Sequence, residues 1–178
     1  IIRLLTGSYH SFEGSVTIDG IPIGNYDPDS IRAHTGILFS QQDIFEGTLY
    51  ENISLGNSKI TTADIIELAE KIGLKEFITG LKDGFDSRIE PTGRRLSGGT
   101  IRKILLLRAL VANPRLLLLE EPWSWFDAES QQLIKNYLLH QIPDTTCIII
   151  SNDASFAQNS DHVILMQDGS ILKQGKPN

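Results

Sequence analysis

Apolar residues in the middle of the chain recur with two different periods. In LSGGTIRKILLLRALVANPRLLLL, Ile101, Ile104, Leu105 and Arg108 follow one another at spacings of three and four, the period of an amphipathic helix. Leu96-Ser97-Gly98-Gly99-Thr100 is a small flexible turn that runs straight into this helix. Asn113-Pro114 predicts its end, because proline has no N–H to give and clashes with the preceding turn. Leu116 to Leu119 then reads as a short strand buried on both faces.

Elsewhere, Ser15-Val16-Thr17-Ile18 alternates at period two and is closed by Asp19-Gly20, with Ile21 and Ile23 beyond, which predicts a hairpin. Gly36 to Phe39 is a further apolar strand. From Thr61 to Leu81 the pattern is helical: Thr61 or Thr62 caps a helix carrying Ile65, Ile66, Leu68, Ala69 and Ile72, and Gly73 ends it. Phe77, Ile78 and Leu81 mark a second short helix, followed by a turn at Asp83-Gly84-Phe85-Asp86. Asp127 caps a helix over Ala128 to His140 that sets Leu133, Ile134, Tyr137 and Leu138 on one face. Thr145 to Ile150 is another buried strand, and Val163 to Met166, Asp168-Gly169 and Ile171 to Lys173 form a strand, turn and strand. Strands that alternate with helices point to the α/β class.

Composition narrows the function classes. The 178 residues are 40% hydrophobic and 21% charged, enough for a globular domain with a real core. Lys plus Arg total 16 against 22 for Asp plus Glu, so the net charge of -6 offers no basic surface for nucleic acid. Any anion site must be local, built from helix ends. Cys147, the only cysteine, lies in an apolar run and reads as a small core residue in a reducing compartment. His10, His34, His140 and His162 have no paired spacing that suggests a metal site. No apolar run approaches the ~20 residues that cross a bilayer, and no signal peptide is visible, so service to a membrane would come from the aqueous side.

Two features carry chemistry. The helix that opens at Ser97 presents free backbone N–H groups, and two glycines let a ligand approach them closely, so this turn is a candidate phosphate-binding surface. The Leu116–Leu119 strand delivers Glu120 and Glu121 at its C-terminal end, where open α/β sheets bind ligands. One carboxylate can hold a hydrated Mg²⁺ while the next orients water, a pairing that suits phosphoryl chemistry.

Turn, helix, proline, four leucines, two acids, Pro122, Ser124 and Asp127 together resemble the signature, Walker B and D-loop segment of ATP-binding cassette (ABC) ATPases. Ser40-Gln41-Gln42 through Asn52-Ile53 resembles the Q-loop and the GT-x-x-ENI stretch of ABC exporters, with Asp29-Ser30-Ile31-Arg32 as its lead-in. The resemblance runs to Gly175 and implies an α/β, P-loop NTPase-like ABC ATPase core with a mostly parallel sheet, an N-terminal antiparallel β piece and a small helical subdomain. It further implies a single domain over 1–178 that begins after the Walker A loop, with residues 56–110, signature included, as the helical subdomain and the remainder as catalytic core.

The implied function is the ATP-binding and ATP-hydrolysing domain of an exporter, on the cytoplasmic side of the membrane, driving transport by ATP-dependent dimerisation. ATP and Mg²⁺ are the implied cofactors. A second ABC domain and a transmembrane domain are the implied partners, with no nucleic acid. Glu121 would be the catalytic base and Asn152 stands where the family has its switch histidine. Ser97, Gly98, Gly99, Thr100 and Asp127 would face nucleotide held by the partner domain. Glu120 would hold Mg²⁺ together with the Q-loop, at Ser40 by an ungapped count or at Gln41 by a slip of one residue.

Several positions depart from the family pattern. Pro91 replaces a glutamate near the signature, and Trp123-Ser124-Trp125-Phe126 is rich in aromatics, as dimer contacts often are. Ser40, Glu120 and Asn152 all fall on the Walker side, whereas the LSGG turn is retained. Two readings follow: an active homodimer that tolerates the changes, or a slow or inactive half that lends its signature to a different partner. A nucleotide sensor without turnover is a third. An ABC ATPase of DNA repair or translation fits less well, because the helical segment is compact and the charge acidic.

Overall fold

The four leucines Leu116 to Leu119 lie at the centre of the molecule. In the computed structural model, which describes residues 1–7, 9, 11–91, 96–142 and 144–177, they begin strand β6 (Leu116–Glu120). β6 is flanked on both sides by parallel strands, β3 (Thr35–Leu38) and β7 (Thr146–Ile150), in the order β3-β6-β7. Register sets Leu38 beside Leu119 and Ile150 beside Glu120. Leu117, Leu118 and Leu119 are fully buried, as a parallel strand covered on both faces requires. β7 differs from its sequence reading: Thr146 and Ile150 are exposed and Cys147, Ile148 and Ile149 only partly buried. The reason is cover: β3 and β7 are the two outer strands of this sheet among the described residues, but α6 packs on β3 and not on β7.

Helix α6 (Gly98–Leu110) packs on β3 so tightly that a Cβ on Gly36 would lie 2.0 Å from the Ala109 carbonyl oxygen. Although its spacing predicts an amphipathic helix, α6 is buried nearly all round, Arg102 included, because further helices cover its other side. Those are α3 (Leu49–Ser54) and α4 (Thr62–Lys71), each opened by a capping box, at Thr48 with Glu51 and at Thr61 with Asp64. Gly73 takes a φ of +69° and turns the chain into α5 (Lys75–Thr79). Short β4 (Gly47–Thr48) and β5 (Arg88–Ile89) pair antiparallel beside α3.

The two predicted hairpins form. β1 (Thr17–Ile18) and β2 (Ile21–Pro22) meet at Asp19-Gly20, both with positive φ; Ser15 and Val16 precede the strand, although the Val16 carbonyl still accepts from the Ile23 N–H at 2.9 Å. β8 (Val163–Gln167) and β9 (Ser170–Gly175) turn at Asp168-Gly169 in the same way. α1 (Ile2–Leu5), α2 (Pro28–Ala33) and α8 (Ala154–Ala157) are short. α7 (Ala128–His140) buries Ile134, Tyr137 and Leu138, but Leu133 is 39% exposed and lies off the face predicted for it. No helix among the described residues is long and apolar enough to cross a membrane.

Candidate functional site

β6 ends at Glu120, and the backbone changes direction at Glu121, whose φ of +42° is left-handed. Such a conformation costs a residue with a side chain about 1 kcal/mol or more, so its neighbours must hold it. They do so through the Glu121 carbonyl, which accepts from the Ser124 hydroxyl at 3.0 Å and from Arg102 at 3.3 Å. Pro122 and Trp123 behind it are buried.

Each of the two acids meets a donor from a distant loop. Oε2 of Glu120 accepts from the Ser40 backbone N–H at 3.0 Å and from the Ser40 hydroxyl at 2.9 Å. These two bonds hold the Glu120 carboxyl below the usual carboxylate range, so it is ionised at neutral pH. Oε1 of Glu121 accepts from Nδ2 of Asn152 at 3.3 Å, and the Glu121 N–H donates to the Ile150 carbonyl at 2.8 Å. It is Ser40 that reaches the strand end, whereas Gln41 is exposed and Gln42 turns back to accept from the Phe39 N–H. The extra methylene of glutamate spans what a short serine leaves open.

Arg102 binds these pieces together from below. It is 3% exposed, and its guanidinium donates to the carbonyls of Phe39 at 2.6 Å, Glu120 at 2.8 Å and Glu121 at 3.3 Å. Burial lowers its pKa and the nearby Glu120 opposes that shift. Nε has no partner. Because Arg102 belongs to α6, the helix that opens at Ser97 is tied directly to both acid-bearing backbones.

At that opening, Ser97 caps the helix by accepting from the Thr100 N–H at 3.1 Å, and its hydroxyl lies 2.9 Å from that of Thr100. Ser97 and Gly98 are exposed, which leaves a face open to solvent. The glycines also have a role within the chain. A Cβ on Gly98 would lie 2.9 Å from the Trp125 ring, and one on Gly99 3.0 Å from the Trp125 carbonyl oxygen. Trp125 itself is 61% exposed. Ser40, Gly98, Arg102 and Trp125 line one crevice of about 230 Å³, so the glycine turn and the Ser40 loop share a wall. Asp127 spends its carboxylate on capping α7, accepting from the Ser130 N–H at 2.8 Å and hydroxyl at 3.1 Å.

The donor chemistry at the strand end fits Mg²⁺, which takes hard oxygen ligands and is commonly held by one or two carboxylates plus substrate phosphates. Glu120 is an ionised carboxylate with the Ser40 hydroxyl beside it. Among the described residues no group of three or more His, Cys, Asp or Glu side chains forms a closed metal cage.

Residues 1–124 match the family described as ABC transporter. The chain belongs to the ABC transporter family. Over 177 residues this ABC chain is 34% identical to the ABC-type transmembrane transporter verA of Clonostachys rogersoniana, covering 98% of the chain and 14% of that protein. It is 32% identical over 176 residues to the ATP-dependent lipid A-core flippase of Chromobacterium violaceum, covering 99% of the chain and 30% of the flippase. Among solved structures, a bacterial Atm1-family ABC exporter with ATP bound superposes with a TM-score of 0.89 at 30% identity, over 98% of this chain and 31% of that one. The ABC chain therefore spans less than a third of the length of these relatives.

Three side chains at the site of this ABC chain lie beyond what the motifs point to. Arg102 stands between Ile101 and Lys103, and nothing in the sequence separates this buried cation from its neighbour Lys103. Lys135 and Asp153, paired by their charges, have no local signal either.

Proposed function

We propose that the chain is the ATP-binding and ATP-hydrolysing domain of an ABC exporter. The observation that carries this reading is the convergence of Ser40, Glu120, Glu121 and Asn152 at one end of the parallel sheet through hydrogen bonds that span up to 80 residues of sequence. Mg²⁺, when bound, supplies charge neutralisation at the phosphates. Glu120 and Ser40 would hold that ion and Glu121 would orient water for attack, with Asn152 steadying Glu121 through its amide. Unlike histidine, Asn152 cannot become cationic, so it stabilises developing charge less.

The exposed Ser97 turn presents its N–H groups outward, which suits a triphosphate carried by a second ABC domain. Two such domains would close head to tail around nucleotide. The segment 56–110 would face the transmembrane domain from the cytoplasmic side. Turnover of ATP by the assembled transporter, lost on Glu121→Gln, tests the proposal; turnover that survives this change would refute the role of Glu121.

A second reading is favoured by the neutral Asn152 amide on Glu121. In it the chain's own site is slow or silent, and the chain lends its Ser97 turn to an active partner site. Asn152→His separates the two: a rise in turnover supports an impaired site, and no rise supports tolerated substitution.

A further inference from the structure

Lys135 lies mid-way along α7, outside the acid pair and the glycine turn, with a side chain 16% exposed. Its ammonium has two neighbours. It pairs with Oδ2 of Asp153, and it sits 5.1 Å from the centroid of the Trp123 ring. Asp153 follows Asn152 in sequence, and Trp123 lies two residues after Glu121. One cation therefore touches both loops that meet in the bond between Glu121 and Asn152.

Both contacts are with groups that are themselves fixed. Oδ1 of Asp153 accepts from the Ser155 N–H at 2.9 Å, the Ser155 hydroxyl at 2.6 Å and the Phe156 N–H at 3.1 Å, which locks the loop to the start of α8. The Trp123 ring is buried against Phe156 with centroids 5.0 Å apart, and among the described residues its Nε1 has no hydrogen-bond partner. Packing and the Lys135 cation are what hold that ring. By contrast, Arg32–Asp29, Lys71–Glu67 and Lys75–Glu70 are surface pairs with side chains 39% to 85% exposed.

The bond being positioned is sensitive. At 3.3 Å it is already long for N–H···O, so a shift of a few tenths of an ångström in either loop breaks it. A partly buried ion pair is weak evidence for stability in itself. Its place here, bridging two loops, is better explained by geometry.

We propose that Lys135 is a positioning residue that sets the spacing of Glu121 and Asn152, an inference that rests on the hydrolytic reading given above. The test uses the assembled transporter with Lys135→Met, Lys135→Arg and, as an exposed control on the same helix, Asn136→Ala. Lys135→Met should lower kcat roughly tenfold or more with little change in KM, since misplacement acts on the reacting geometry. Lys135→Arg, which keeps the cation, should recover most of the rate, and Asn136→Ala should match the parent.

In an Asn152→Ala background, Lys135→Met should have little further effect. An equal loss in both backgrounds, or a change confined to KM, would overturn the proposal. If Lys135→Met fails to fold, Lys135→Met with Asp153→Asn, which removes both charges, replaces it with the same expectations. If the parent protein does not turn over ATP, the hydrolytic reading fails by itself. The side-chain amide resonances of Asn152 then decide on positioning: they should shift with Lys135→Met and stay put with Asn136→Ala, and no shift would overturn it.

Discussion

Replacing Arg102 by methionine keeps a long apolar stem inside α6 but removes the guanidinium that ties three carbonyls together. The bonds to Phe39 at 2.6 Å and Glu120 at 2.8 Å are short and have a charged donor. The third, to Glu121 at 3.3 Å, is long, and that carbonyl keeps its bond from Ser124, so it adds little. Leaving a buried carbonyl unpaired costs about 1–3 kcal/mol, so the two short bonds together predict a loss of about 2–6 kcal/mol. Relief from burying a cation offsets part of this, which puts the expectation at about 3 kcal/mol. With a urea m-value of about 2 kcal/mol/M, the unfolding midpoint should fall by about 1.5 M. Circular dichroism at increasing urea reads it directly. The conservative change Arg102→Lys should fall between, because an ammonium cannot reach both carbonyls as a planar fork does. A midpoint shift equivalent to less than about 1 kcal/mol at unchanged m would refute the view that Arg102 holds the site together.

Gly98→Ala should push the Trp125 ring off the turn, since the ring atom at 2.9 Å leaves no room for a methyl; acrylamide quenching of tryptophan should rise, and an unchanged profile would contradict the packing. Ser40→Ala removes one donor that keeps Glu120 below its usual pKa. The stabilisation from that depressed group is present above the unfolded carboxyl value and lost as pH falls through the folded one, so acid unfolding of Ser40→Ala should begin at a higher pH than in the parent. Cys147, whose thiol is pushed up to about 12 by burial, should alkylate very slowly with iodoacetamide at about pH 8 and rapidly once the chain is unfolded in urea.

Features set by contacts three or four residues apart were legible in the chain. The cap at Asp127, and the one at Thr61 that the sequence left open between Thr61 and Thr62, depend on a side chain and a backbone N–H a few positions on, and the Asp19-Gly20 and Asp168-Gly169 turns on local φ. The acid pair and the glycine turn were equally visible, because strand end and helix start are written in adjacent residues. Tertiary structure decided the rest. Whether Ser40 or Gln41 meets Glu120 turns on how β3 and β6 align, and that alignment places Ser40, not Gln41, within reach. Arg102 becomes a hub only once α6 is covered on both sides, and β7 loses its expected burial because it stands at an outer position without the helix that covers β3. Local spacing fixes which groups can bond along one element. Which groups from separate elements meet depends on how whole layers pack, and no short window of sequence contains that information.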